Sequence, residues 1–231
     1  SGKIDSLDPA QANTLRALQL ISALGDPLYR INSEGNLKPI IAEDLPKVSQ
    51  NGMVIDIPLR QDVLFHDGTA FNAEAMAFSL NRFMQIGTQN YVLGGRIKNI
   101  EVPEEFLLRL KLNRPSSSIK GLLTSINLTP VSPSAYKEHH EKFLNNTFVG
   151  TGPYKLISFK PEKQRIEPFP LYWGEMPKNK GIDYINLNNS TSLFGAIRSG
   201  EVDVLLSHSI EDSQRLALNK MSLKGSLLRG E

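Results

Sequence analysis

Between Met53 and Met84 the apolar positions change period once, and the change separates a strand from a helix. Met53, Ile55, Ile57 and Leu59 alternate with Val54, Asp56, Pro58 and Arg60, which predicts a strand buried on one face. Pro58 cannot donate a ladder hydrogen bond, so an edge strand or a bulge is expected there. Further on, Met76, Leu80, Phe83 and Met84 fall at i, i+4, i+7 and i+8, one face of a helix. Asp67-Gly68 supplies the turn between the two, because glycine tolerates the positive φ that other residues resist. Asn72 is a good N-cap, and Glu74 lies in the first turn, where the helix dipole favours negative charge.

The same rules organise the flanks. Leu15, Leu18, Ile21 and Leu24 predict a helix within Thr14 to Tyr29, interrupted by Gly25-Asp26-Pro27. Asn51-Gly52 is a hairpin turn. A second hairpin joins Ile97–Val102 to Phe106–Leu112 through Pro103-Glu104-Glu105, with Phe106, Leu108, Leu110 and Leu112 on one face. Gly150-Thr151-Gly152-Pro153 predicts a turn whose backbone approaches a neighbour closely. A helix over Ser192–Ser199 is stopped by Gly200 in the left-handed conformation, and a strand carrying Glu201 and Asp203 follows. Helices mixed with antiparallel strands indicate an α/β chain of the mixed α+β kind, not a regular βαβ alternation.

Composition narrows the function classes. The 231 residues suffice for one large or two modest domains, and 40% hydrophobic with 22% charged residues is ordinary for a soluble globular protein. A net charge of +2 with no long basic run gives no reason to expect nucleic acid as a partner. No apolar stretch reaches the length of a membrane span, and no signal-peptide pattern opens the chain. With no cysteine, disulfides, thiolate metal sites and cysteine nucleophiles are excluded.

The candidate chemistry is thin. His66-Asp67 is the most suggestive pair, but a hydrolytic metal site needs several further ligands. The chain has four His, and His139-His140 sits in a polar stretch with Glu138 and Glu141. A structural turn is therefore expected at His66-Asp67. Gly150 and Gly152 lack the third glycine and following helix of a dinucleotide fold, and neither a Gly-x-Ser-x-Gly elbow nor a P-loop occurs. Glu201 and Asp203 share a strand face and read as a solvated strand end. Arg60 and Arg82 flank the stretch that holds the Asp67-Gly68 turn, where a guanidinium could tie the loop by bidentate bonding. No catalytic residue, metal site or cofactor is expected.

Six stretches nevertheless occur in a telling order. They are Leu7-Asp8-Pro9, Ile41-Ala42-Glu43, the run from Leu59-Arg60 through Phe65-His66-Asp67-Gly68-Thr69 to Phe78-Ser79-Leu80, Gly150-Thr151-Gly152-Pro153-Tyr154, Tyr172-Trp173-Gly174 with Pro177, and Gly200-Glu201-Val202-Asp203. The set resembles the family 5 extracellular solute-binding proteins, the dipeptide, oligopeptide and nickel-chelate receptors of ABC importers. Asn72 and Ala75 depart from the family pattern at the helix start only. The resemblance runs from about Leu7 to about Leu206, and family members are roughly twice as long.

What the resemblance implies is a type II periplasmic-binding-protein-like lobe with an inserted α+β subdomain, the second lobe being missing. Residues 1–40 would be the first segment of lobe I, 41–148 the inserted subdomain, and 149–231 the return up to the hinge. The implied role is the extracytoplasmic substrate-binding component of an ABC importer, periplasmic or extracellular, not an enzyme. Its implied partners are a small peptide and a membrane permease, with no nucleic acid, no membrane span and no second copy. By the same comparison Trp173 is a packing residue, and the ligand-binding candidates are Thr14, Asn90, Tyr91 and Asn127. A sensor domain of a regulator, or a receptor for a nickel chelate or an oligosaccharide, are the alternatives.

Overall fold

A computed structural model describes residues 4–139, 142–187, 189–205 and 210–220. Thr14 opens α1 (Leu15–Leu24), its side chain accepting from the Ala17 N–H, and Gly25 closes it by donating to the Ile21 carbonyl. Short strands β1 (Tyr29–Ile31) and β2 (Leu37–Pro39) form a two-stranded ribbon. Then come β3 (Lys47–Val48), β4 (Val54–Pro58), α2 (Ala73–Ile86) and α3 (Tyr91–Gly94). β5 (Ile97–Glu104), β6 (Leu107–Leu112), α4 (Ile119–Leu122), a 3-10 turn at Ile126–Leu128 and α5 (Pro133–Tyr136) follow. β7 (Tyr154–Lys160), β8 (Lys163–Pro168), β9 (Ile182–Ile185), α6 (Ser190–Ser199) and α7 (Asp212–Lys220) complete the order.

The four-stranded sheet β3-β4-β6-β5 carries the first core. Alternation places Ile55 and Ile57 of β4, and Leu108, Leu110 and Leu112 of β6, on its buried face. α2 lays Met76, Leu80 and Phe83 against this cluster, the stripe its period predicts. Asn72 caps it through a 3.0 Å bond from the Ala75 N–H, and Gly68 takes φ 85° in the turn before it. Pro58 differs from expectation: β4 is an inner strand. Its neighbour β3 reaches only Ile55 and Asp56, and at Pro58 the adjoining chain donates the Glu43 N–H to the Pro58 carbonyl, so no proline donor is required.

A second core gathers α1 with Leu7, Val131, Tyr136, Phe148 and Ile166 of β8, and half-buried Tyr154 and Leu156 of β7 pack against it. Residues 4–184 fold as one compact unit, and the described residues from Ile185 onward belong to another. In that other unit Gly200 caps α6 at φ 76°. Among the described residues no strand follows: the N–H groups of Glu201 and Val202 both return to the Ala196 carbonyl, at 2.9 and 3.3 Å. The backbone wraps the helix end and leaves no strand ladder for Glu201 and Asp203 to share. His140, Glu141 and Leu206 lie outside the described residues.

Candidate functional site

Three independent anchors hold the loop from Asp8 to Thr14. Asp8 is fully buried and receives Arg82 in a fork, Nη1 to Oδ1 at 2.8 Å and Nη2 to Oδ2 at 2.6 Å. The same carboxylate accepts the N–H of Ala10 and of Leu144. On another side the Thr88 N–H donates to the Ala10 carbonyl at 2.9 Å. Asn127 supplies the third anchor, donating from Nδ2 to the carbonyls of Pro9 at 2.8 Å and Ala12 at 2.7 Å.

These bonds tie Asn127 to the loop that Thr14 ends, and tie that loop to Thr88, two residues before Asn90; the four predicted site residues have different duties. Thr14 ends the loop and spends its hydroxyl capping α1. Asn127 spends its amide N–H groups on the loop, leaving Oδ1. Asn90 and Tyr91 continue from the Thr88 turn: Asn90 is half-buried and starts α3, with no side-chain capping bond, and Tyr91 is 71% exposed. Arg82, expected to tie its own turn, reaches back to Asp8 instead.

Sequence reasoning missed the main chain. Among the described residues, no hydrogen bond reaches the N–H of Asn13, Thr14 or Leu15, or the carbonyls of Gln11 and Asn13. Asn13 is exposed, and Leu15 shows 56% of its surface. The signal was available in part: three N–H groups at and before a helix start have no intrahelical partner by construction.

His66 does structural work, as its turn suggested. Its N–H donates to the Gly150 carbonyl at 2.9 Å, Nε2 lies 3.0 Å from the Gly152 carbonyl, and the Gly150 N–H points at Nδ1 at 3.4 Å. That set assigns a neutral ring with the proton on Nε2. Burial pushes its pKa down to about 4; Lys155 pushes the same way, while the Gly152 carbonyl and Asp67 oppose. Burial raises the Asp67 pKa, yet the hydroxyls of Ser132 at 2.5 Å and Thr69 at 2.6 Å hold it below the usual range.

A second polar cluster surrounds Asp26. Burial raises its pKa, against Arg30 at 3.0 Å and the Tyr172 hydroxyl at 3.1 Å. The Trp173 indole N–H lies near enough to lower it slightly but stops short of a formed hydrogen bond. Trp173 packs against the first core, with the Arg60 guanidinium 4.5 Å over its ring and forked onto Asp62. An open groove of about 710 Å³ runs along α2, bordered by Asn72, Phe78, Asn81, Gln85 and Ser134. It contains none of the four predicted residues. Among the described residues no three His, Asp or Glu side chains gather to hold a metal, and no helix is long and apolar enough to cross a membrane.

Comparison with known proteins fits this architecture. The glutathione-binding protein GsiB of Salmonella typhi is 27% identical over 219 residues, covering 93% of this chain and 42% of the relative. The dipeptide-binding protein of Pseudoalteromonas sp. SM9913, solved with Met-Leu, superposes with a TM-score of 0.86 at 23% identity, covering 96% of this chain and 48% of that one. NikZ of Campylobacter jejuni, solved with Ni(L-His), gives 0.85 at 21% identity, with 96% and 44% covered. The chain thus spans less than half the length of each relative, and its fold is that of one lobe of a type II periplasmic binding protein. The family model for bacterial extracellular solute-binding proteins, family 5 Middle, matches residues 36–226, and the chain belongs to that family.

Proposed function

We propose that this chain is the N-terminal lobe of an extracytoplasmic substrate-binding protein that delivers short peptides to the permease of an ABC importer. The observation that carries the reading is a set of main-chain groups with no partner among the described residues, the N–H groups of Asn13, Thr14 and Leu15 and the carbonyls of Gln11 and Asn13, presented by a loop with three anchors. A peptide backbone offers the complementary alternation of N–H and C=O, and pairing with exposed main chain is a recurring way to hold one. Exposed Leu15 and Tyr91 would cover apolar ligand side chains, the Tyr91 hydroxyl serving a polar group. Thr14 and Asn90 would lie beside them.

In this reading residues 1–40 and 149–231 belong to lobe I, and 41–148 form its inserted subdomain. A second lobe closes over the ligand, and the closed form engages the permease outside the cytoplasm. The receptor acts as a monomer and performs no chemistry. The relatives support the ligand class: one is named for glutathione, and one holds Met-Leu. Titration calorimetry on the full-length protein with Met-Leu, glutathione and Ni(L-His) tests it. Saturable binding of either peptide is expected. Binding of Ni(L-His) alone, or of none of the three, overturns the peptide assignment.

A further inference from the structure

We infer that Asn127 is a positioning residue: it fixes the Pro9–Thr14 loop so that the unpaired main-chain groups of Asn13 to Leu15 stay available to a ligand. The inference rests on the ligand-facing reading of that loop. One side-chain amide nitrogen carries two hydrogens, and here each meets a different carbonyl, Pro9 at 2.8 Å and Ala12 at 2.7 Å. Pro9 and Ala12 are buried, so water does not replace those donors without opening the loop.

The geometry is demanding in kind. Serine or threonine has one donor and would satisfy one carbonyl. Aspartate has the same shape as asparagine but no donor, and would set a carboxylate against two carbonyl oxygens. Asn127 is itself held in the 3-10 turn Ile126–Leu128, where the Leu128 N–H bonds Ser125 and the Thr129 N–H bonds Ile126. Leu128 is seated in the first core and Ile126 packs against the second. The staple is thereby referred to both cores. Thr88 fixes Ala10 between the two stapled carbonyls, so the carbonyls of Pro9, Ala10 and Ala12 are all engaged. Those of Gln11 and Asn13 meet no donor among the described residues. A loop pinned this way loses little conformational entropy when a ligand pairs with it, and that is the advantage of preorganisation.

The test compares the full-length wild type with Asn127→Asp, Asn127→Leu and Asn127→Gln. Backbone hydrogen exchange reads the loop, and capture of a synthetic pool of random tripeptides, followed by native mass spectrometry, reads binding. In Asn127→Asp and Asn127→Leu the amides of Gln11 and Ala12 should exchange roughly tenfold faster, and tripeptide capture should fall by roughly tenfold. α2 amides should keep their protection. Asn127→Gln retains both donors and should recover part of each loss, which a role in volume filling would not predict. Unchanged loop exchange in Asn127→Asp and Asn127→Leu overturns the staple itself. Faster exchange with unchanged capture overturns the ligand-facing loop on which the inference stands.

Discussion

Asp8 and Arg82 lie 74 residues apart in sequence and form a buried, two-pronged ion pair, with side chains 0% and 3% exposed. The pair joins the loop that opens the fold to the helix that follows the signature turn. Arg82 also donates to the Lys142 carbonyl at 2.7 Å and sits 5.1 Å from the Tyr136 ring centre, so the second core is tied in as well. Removing one partner strands a buried charge. Arg82→Met is therefore expected to cost about 3–5 kcal/mol of unfolding free energy, while Asp8→Leu combined with Arg82→Met should cost clearly less than the sum of the two single changes. Urea denaturation of the three variants measures both quantities. Additive losses would mean that the pair does not act as a unit.

His66 makes stability depend on pH with a definite sign. Its folded pKa of about 4 lies below the ordinary value of 6.5. Between those values the unfolded chain binds the proton and the folded chain does not, so stability rises with pH. The contribution is complete above about pH 6.5 and is lost as pH falls toward 4. The 2.5-unit difference corresponds to roughly 2–3 kcal/mol once partial exposure is allowed for. His66→Gln keeps a donor toward the Gly152 carbonyl and cannot take the proton. Its melting temperature should lack this slope between pH 6.5 and 4, and a slope equal to that of the wild type would assign the effect elsewhere.

How much of this was readable along the chain follows from the distance over which each feature is decided. The Asn72 cap, the Gly68 turn, the α2 stripe and the β4 alternation depend on neighbours within a few residues, and each formed as the pattern predicts. Arg82 reads as structural from its place beside the Asp67-Gly68 turn, but nothing local points 74 residues back to Asp8. The Asn127 staple is hidden for a similar reason: its two acceptors lie 118 and 115 residues away. Glu201 and Asp203 failed as a strand because a left-handed glycine cap lets the following N–H groups fold back onto the helix end. Pro58 failed as an edge marker because a strand can be inner along most of its length and still need no donor at its last residue.

The glycines at the junction of α1 and the return segment answer to backbone crowding. A Cβ on Gly152 would stand 2.5 Å from both the Gly25 nitrogen and the Leu24 carbonyl carbon, which cannot swing aside as a side-chain tip can. Gly152→Ala should destabilise the fold by about 1–3 kcal/mol or more, as overpacking does. Gly121 in α4 meets nothing within 4 Å, so Gly121→Ala should be neutral or stabilising by up to about 1 kcal/mol. Thermal melts of the two alanine variants should move in opposite directions or differ by several degrees, and equal midpoints would refute the crowding argument.

Tyr91 separates binding from stability. At 71% exposure it contributes little to either core, so Tyr91→Ala should change unfolding free energy by no more than about 0.5 kcal/mol. If the loop after Thr88 faces the ligand together with Asn13 to Leu15, the same substitution removes an aromatic contact surface. Interface tyrosines of that kind cost about 1–2 kcal/mol when truncated, or roughly five- to thirtyfold in affinity. Tyr91→Phe keeps the ring and isolates the hydroxyl. Calorimetric titration of peptide into full-length wild type, Tyr91→Phe and Tyr91→Ala, with denaturation curves alongside, reads both terms. Weaker binding at unchanged stability places Tyr91 at the ligand. Equal affinity in all three would remove it from the site and confine recognition to the main chain of the Asp8–Thr14 loop and its helix start.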